Sequence, residues 1–81
     1  MVAVYEVSVE NRIVNRHTRK AIRGKQGRWH DELYLVVASD EMAADVAVIA
    51  KVKAKAMLGI NKRRATMLER QVNITRTRRL P

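Results

Sequence analysis

The start of the chain alternates between apolar and polar side chains. Apolar residues occupy every odd position from Ala3 to Val9, and Glu6, Ser8 and Glu10 fall between them. Successive side chains of a strand point to opposite faces of the sheet, so this alternation predicts a half-buried strand over residues 2–10.

A second strand is predicted over residues 28–38, where β-branched, aromatic and leucine side chains are concentrated. Tyr34 and Val36 alternate there with Leu33, Leu35 and Val37, so both faces of its second half are apolar. Two apolar faces are typical of a strand with cover on both sides, and we expect this strand to be central.

A helix is predicted over residues 40–58. Ser39 or Asp40 can cap free backbone N–H groups, and the acids of Asp40 and Glu41 lie at the positive end of the helix dipole. Lysines 51, 53 and 55 lie toward the negative end, and Gly59 can adopt the left-handed conformation that ends a helix.

The predicted helix is apolar on two sides. One stripe consists of Ala43, Val46, Ala47, Ala50, Ala54, Met57 and Leu58. The opposite stripe consists of Val48, Ile49, Val52 and Ala56. Because one stripe is enough to cover a sheet, the other predicts an interface. We expect a homodimer formed through Val48, Ile49, Val52 and Ala56.

The even spacing of Leu68, Val72 and Ile74 predicts a third strand over residues 66–76. The elements then follow the order strand, basic arm, strand, helix, strand. We expect a single α+β domain over residues 1–76, an antiparallel sheet of three to four strands with the helix on one face, followed by a basic C-terminal tail over residues 77–81.

Charge is segregated along the chain, which has a net charge of +9. Residues 12–28 contain seven cationic side chains and no Asp or Glu: Arg12, Arg16, Arg19, Lys20, Arg23, Lys25 and Arg28. Acidic neighbours that would neutralise a solvated surface are missing, so this arm is predicted to meet a polyanion.

The nature of that anion stays open from the sequence. Gly24, Lys25, Gln26 and Gly27 form a turn signal, and a two-stranded ribbon with this turn at its tip would fit the major groove of DNA. Arginine-rich segments also grip RNA. Whether the arm is a hairpin or irregular is not decided by its composition.

A second basic cluster consists of Lys62, Arg63 and Arg64, with Arg76, Arg78 and Arg79 in the tail. Its plain explanation is a helix flank followed by a solubilising tail. If the strands pair, however, the segment leading into the third strand and the arm can form one basic surface. Lys62, Arg63 and Arg64 are therefore included among the candidate anion-binding residues.

Other function classes receive little support from the composition. There is no cysteine and there are only two histidines, so we expect no metal site and no cofactor. A small sheet with one helix offers little concave volume for perturbing pKa values, so an enzyme is not expected. The N-terminus has neither a signal-peptide pattern nor a membrane span, and a small chain without disulfides is more typical of the cytoplasm.

The sequence therefore favours a small, non-enzymatic nucleic-acid-binding protein that contacts phosphates, with DNA slightly ahead of RNA. The alternative is a protein-interaction module whose basic surface docks on an acidic or nucleic-acid-binding site of a host protein. The electrostatics of the two hypotheses are alike.

Two resemblances accompany these hypotheses. The order of basic segments, strand and helix opened by Ser39, Asp40 and Glu41 resembles the topology of the DNA-binding modules at the N-terminus of tyrosine recombinases. No diagnostic motif aligns with them, and the strand at 66–76 is an addition to that plan. In size and style the chain is also similar to small phage-encoded inhibitors of host machinery, including anti-CRISPR proteins.

Overall fold

The computed structural model describes all 81 residues. Three strands and two helices follow in the order β1 (Ala3–Asn15), β2 (His30–Ala38), α1 (Glu41–Lys53), α2 (Lys62–Ala65) and β3 (Leu68–Arg79). A short 3₁₀ turn, Lys25–Gly27, precedes β2. The predicted class is confirmed: this is a small α+β fold with one antiparallel sheet and a helix packed against it.

The sheet has the strand order β2-β1-β3, with both neighbours antiparallel to β1. The first strand is therefore central, and the prediction that the second strand is central was wrong. Both faces of β2 are apolar, but only one of them is covered. Tyr34 and Val36 pack toward the core, whereas Leu33, Leu35 and Val37 are exposed.

β1 continues five residues beyond its predicted end. Asn11 occupies an inward position between Val9 and Ile13, and all three side chains are buried. A polar residue at an inward position interrupted the apolar alternation, so the sequence pattern stopped too early. As the only strand paired on both sides, β1 gains hydrogen bonds along its whole length from its neighbours.

The core lies between the sheet and α1. Its buried members are Tyr5, Val7 and Val9 from β1 and Ala44, Val48 and Val52 from α1. Side chains of β2 and β3 that complete it include Val36 and Ile74.

The predicted dimer interface on the helix is wrong for its main residues. Val48 and Val52 are 0% exposed because they face the protein's own sheet, and Ala56 lies beyond the end of α1. Ile49 is half-buried beside them. The opposite stripe is the one in solvent, with Val46 62% exposed. The larger β-branched side chains face the sheet because they bury more apolar area than the alanines.

α1 begins as predicted, since the Asp40 carboxylate accepts a hydrogen bond from the Ala43 N–H at 2.7 Å. It ends at Lys53, earlier than the predicted residue 58. Just beyond that end, Lys55 donates to Glu32 and the Ala56 carbonyl accepts from Arg70 at 3.4 Å. These tertiary contacts draw the chain away from the helix axis, and Gly59 uses its positive φ in the following turn instead.

β3 starts two residues later than predicted and runs to Arg79, so most of the predicted tail is strand. Thr77 donates to the Asp45 carboxylate on α1, and the Leu80 N–H donates to the Val4 carbonyl at 2.9 Å. Only Leu80 and Pro81 follow the strand.

Candidate nucleic-acid interface

Three chain segments meet at one end of the sheet. The arm leaves β1 at Asn15, which pairs with Leu68 at the start of β3. Immediately beyond, the Arg16 N–H donates to the Met67 carbonyl at 2.8 Å. The arm also touches the chain between α1 and α2, where Gln26 Nε2 donates to the Leu58 carbonyl at 2.7 Å. Antiparallel pairing therefore places the arm and the segment that carries α2 side by side.

The first half of the arm is a tight turn on the end of β1. Asn15 Oδ1 accepts from the His17 N–H at 2.9 Å and the Thr18 N–H at 3.0 Å. Arg19 takes a φ of 64° and the chain then forms one isolated bridge, Val14 to Ala21. The arm is therefore not the two-stranded ribbon that would enter a major groove, because a single bridge does not make a ribbon.

The second half of the arm folds back on the first. Gly27 is buried, and a Cβ at this position would overlap the Ile22 carbonyl. The His30 ring nitrogen Nε2 lies 2.7 Å from the Lys25 carbonyl oxygen. Glycine is needed at residue 27 because two backbone segments approach closely there. The arm thus holds a defined shape and presents its long side chains outward.

These segments gather nine exposed cations, which we call the basic end: Arg16, Arg19, Lys20, Arg23, Lys25, Arg28, Lys62, Arg63 and Arg64. Arg19 pairs with Glu69, and Arg16 donates to the Leu68 carbonyl at 3.3 Å. The other seven side chains have no hydrogen-bond or ion-pair partner within the chain. Most of the charge is therefore available to an external anion.

Arg12 is a different case, because it lies in β1 and not in the arm. Its Nε donates to Gln71 at 2.7 Å, and its guanidinium lies 4.4 Å from the centroid of the Trp29 ring. Trp29 is 41% exposed, so it stands against Arg12 on the sheet surface uncovered by α1. Arg12 thus positions the indole beside the basic end.

The second predicted cluster is divided by the fold. α2 carries Lys62, Arg63 and Arg64 and is capped by Asn61, which accepts from the Arg63 N–H at 2.8 Å. Arg79 pairs with Tyr5, ten residues along β1 from Asn15. At about 3.4 Å per residue this places Arg79 about 34 Å from the basic end. Only the first half of the cluster joins the arm.

Sequence reasoning missed a buried polar network on the helix-covered side of the sheet. Asn11 is 2% exposed, donates to Glu32 at 2.6 Å and accepts from Arg70 at 3.1 Å. Glu32 also accepts from Tyr34 at 3.0 Å and Lys55 at 2.7 Å. The network thus links β1 to both β2 and β3, and it links β2 to the chain that follows α1. A polar residue at an inward strand position was the available sign of this network.

The network shifts the ionisation of its members. Burial of Glu32 works against its charge, but hydrogen bonds from Lys55, Tyr34 and Asn11 outweigh it and lower the pKa of Glu32. The hydrogen bond to Glu32 raises the pKa of Lys55 against the opposing effect of burial. Burial, followed by the hydrogen bond to Glu32, raises the pKa of Tyr34.

We predict that this network makes the protein sensitive to acid. Because the pKa of Glu32 is lower in the folded chain, its stabilisation is complete above the ordinary pKa of glutamate and is lost as the pH falls through the folded value. The melting temperature of the wild type should therefore decrease when the pH is lowered below about 4.5. Glu32→Gln should lower the melting temperature at neutral pH and flatten that drop.

Asp31→Asn is the matched control, since Asp31 is the exposed neighbour of Glu32 on the same strand and has no side-chain partner. It should keep the wild-type dependence on pH. An unchanged acid profile in Glu32→Gln would show that Glu32 does not contribute to it.

The remaining surface holds few other candidate sites. The larger of its two depressions is an open groove of about 360 Å³ beside Ser8, Asp31, Leu33 and Thr75. No group of three His, Asp or Glu side chains is placed to hold a metal ion. Neither helix combines the length and the apolar character that crossing a bilayer requires. No protein-family model, curated protein or solved structure matches this chain.

Proposed function

We propose that this protein binds nucleic acid without catalysis, through phosphate contacts made by the basic end. One observation carries the proposal: seven exposed cations from two chain segments are brought together and have no partner in their own chain. An unneutralised cluster of this kind attracts a polyanion and gains free energy when condensed counterions leave the phosphates.

Duplex DNA is the favoured ligand, ahead of RNA. Recognition of single strands relies on aromatic rings that stack on bases. Tyr5 is buried in the core and Tyr34 is bound to Glu32, so among the Tyr and Trp side chains only the Trp29 ring is free to stack. Phosphate contacts alone position a protein on a duplex without reading its sequence, and the expected binding is therefore weakly sequence-specific.

We predict that Lys20→Ala, Arg23→Ala and Lys25→Ala, combined in one variant, weaken binding to duplex DNA by about a hundredfold at low salt. If the wild type neutralises about six phosphates, its affinity should fall with salt with a log–log slope near −5, and the variant should show about −3. Fluorescence anisotropy across a salt series measures both quantities.

The control removes the same charge elsewhere. Lys53, Arg76 and Arg79 are exposed and unpaired, and they lie in α1 and β3, outside the arm and α2. The alanine triple at these positions also lowers the net charge from +9 to +6 and should keep a slope near that of the wild type. Equal losses of affinity in the two triple variants would mean that binding depends on net charge and not on the basic end. A log–log salt slope near zero for the wild type would refute phosphate binding.

A second function is favoured by a separate observation. Exposed apolar side chains stand among the cations of the basic end: Leu58 is 78% exposed, Met67 51% and Trp29 41%. Phosphate groups gain nothing from contact with apolar side chains, whereas protein interfaces are enriched in aromatic, methionine and arginine residues. The alternative is therefore an interaction module that docks on an acidic or nucleic-acid-binding surface of a host protein.

Leu58→Ser with Met67→Ser separates the two functions. Under the nucleic-acid proposal, this double variant should bind duplex DNA within about twofold of the wild type, since both changes leave the charge intact. Retention on heparin without any shift of duplex DNA or structured RNA, together with capture of one host protein that the double variant loses, would favour the interaction module.

A further inference from the structure

β2 is an edge strand whose second half, residues 33–38, has no protection against pairing with another strand. It pairs with β1 on one side, and no strand lies on its other side. Its two acidic residues, Asp31 and Glu32, lie near its start, so residues 33–38 contain no proline and no charged side chain, and the irregularity of the sheet falls between β1 and β3 instead. Natural sheets block free edges with such features, and an unblocked edge is a template for another strand.

The side chains of β2 increase this tendency. Leu33, Leu35 and Val37 are 60%, 64% and 68% exposed on the face that α1 leaves uncovered. Tyr34 and Val36 are only partly covered on the other face. A regular strand whose residues 33–38 are apolar on both faces is costly to leave at a solvent edge.

We propose that β2 pairs antiparallel with β2 of a second copy of this chain, which joins two three-stranded sheets into one sheet of six strands with a two-fold axis at Tyr34.

The register follows from symmetry. Tyr34 is the central residue of His30–Ala38, so complete overlap of the strand with its copy sets Tyr34 opposite Tyr34. Leu33 then faces Leu35 of the second copy, and the same pair recurs across the axis. Aromatic and aliphatic cross-strand pairs of this kind stabilise sheet pairing.

The charges flanking β2 argue for a second copy over an unrelated strand. Arg28 precedes the strand, and Asp40 and Glu41 follow it. In the antiparallel register Arg28 of each copy lies opposite Asp40 of the other, so the same attraction occurs twice. A parallel pair would set Arg28 beside Arg28, and a strand of another protein has no reason to carry this complement.

Repulsion between the basic ends of the two copies also favours antiparallel pairing. Each chain carries +9, and most of that charge lies in the basic end next to the start of β2. Antiparallel pairing places the two basic ends at opposite ends of a nine-residue strand, about 30 Å apart. At physiological salt the Debye length is about 8 Å, so their mutual repulsion is screened.

Leu35→Lys tests whether the free edge of β2 forms the dimer interface. Leu35 is exposed in the single chain, so a lysine there should not disturb the fold, but the dimer would gain two cations beside its axis. We expect the dissociation constant measured by sedimentation equilibrium to rise at least about tenfold, with an unchanged circular dichroism spectrum. Val46→Lys on α1 is the control, because Val46 is 62% exposed, close to the 64% of Leu35.

A monomeric wild type at 100 μM, roughly the range of a weak dimer, would overturn the proposal. So would a dimer that Val46→Lys dissociates and Leu35→Lys does not, since α1 would then form the interface. If Leu35→Lys loses its folded spectrum, the distance measurement below decides the matter in its place.

Spin-label distances test the register directly, because the chain has no cysteine and a single one can be introduced cleanly. Asp31 and Val37 lie three residues on either side of the axis, and equivalent labels should be about 20 Å apart in both cases. Labels at Ser39, five residues away, should be about 34 Å apart. Distances that do not grow with separation from Tyr34 would exclude antiparallel edge pairing.

Discussion

Replacing Val48 by aspartate should unfold the protein. Val48 is 0% exposed and packs from α1 against Val7 and Val9 of the central strand. A carboxylate there would lose its hydration without gaining a partner, which costs more than about 5 kcal/mol. A domain of this size has a total stability near 5 kcal/mol, so circular dichroism should show loss of the folded state at room temperature.

Val46→Asp is the matched control for that change. Val46 lies two residues earlier on the same helix but is 62% exposed, so the free energy of unfolding should change by less than about 0.5 kcal/mol. Urea titration of both variants measures the contrast. Unfolding of Val46→Asp with a stable Val48→Asp would show that α1 docks with its other face on the sheet.

Replacing Asn11 by alanine should cost about 3 kcal/mol of stability. The change leaves a small cavity and removes one partner each from Glu32 and Arg70, which Asn11 joins inside the sheet. Arg70 already lacks one hydrogen bond, because its Nε is buried without a partner. Urea unfolding of the wild type and the variant measures the loss.

Asn73→Ala provides the comparison on the neighbouring strand. Asn73 is exposed and donates to Glu10 at 2.9 Å, so its loss should cost less than about 0.5 kcal/mol. A cost for Asn11→Ala no larger than this would mean that water replaces the buried amide and that the network does not hold the strands together. Asn11→Leu with Arg70→Leu should recover part of the stability, because paired buried polar groups are often replaceable by apolar ones.

Local physical chemistry accounts for the parts of the fold that were predictable. The alternation around Val7 and Val9 and the cap at Asp40 each depend on neighbours within a few residues. These features placed three strands and one helix in the correct order. The acid-free composition of residues 12–28 likewise identified a cationic surface without any structure.

Features that depend on distant residues were the ones that failed. Strand order is decided by which edges pair, and apolar side chains on both faces of β2 imitated a central strand. The end of α1 depends on Glu32 and Arg70, which lie far from it along the chain. The face of α1 that meets the sheet was misassigned because both faces are apolar and the pattern does not rank them.

The types and order of the elements follow from local patterns, because the spacing of apolar side chains and the capping residues act over a few positions of the chain. The segregation of charge is likewise visible along the chain. Which cations stand together depends on strand pairing, which joins Lys62, Arg63 and Arg64 to the arm and leaves Arg79 at the far end of the sheet. The reason is that antiparallel pairing brings together segments that lie about fifty residues apart along the chain, and no local pattern encodes that pairing.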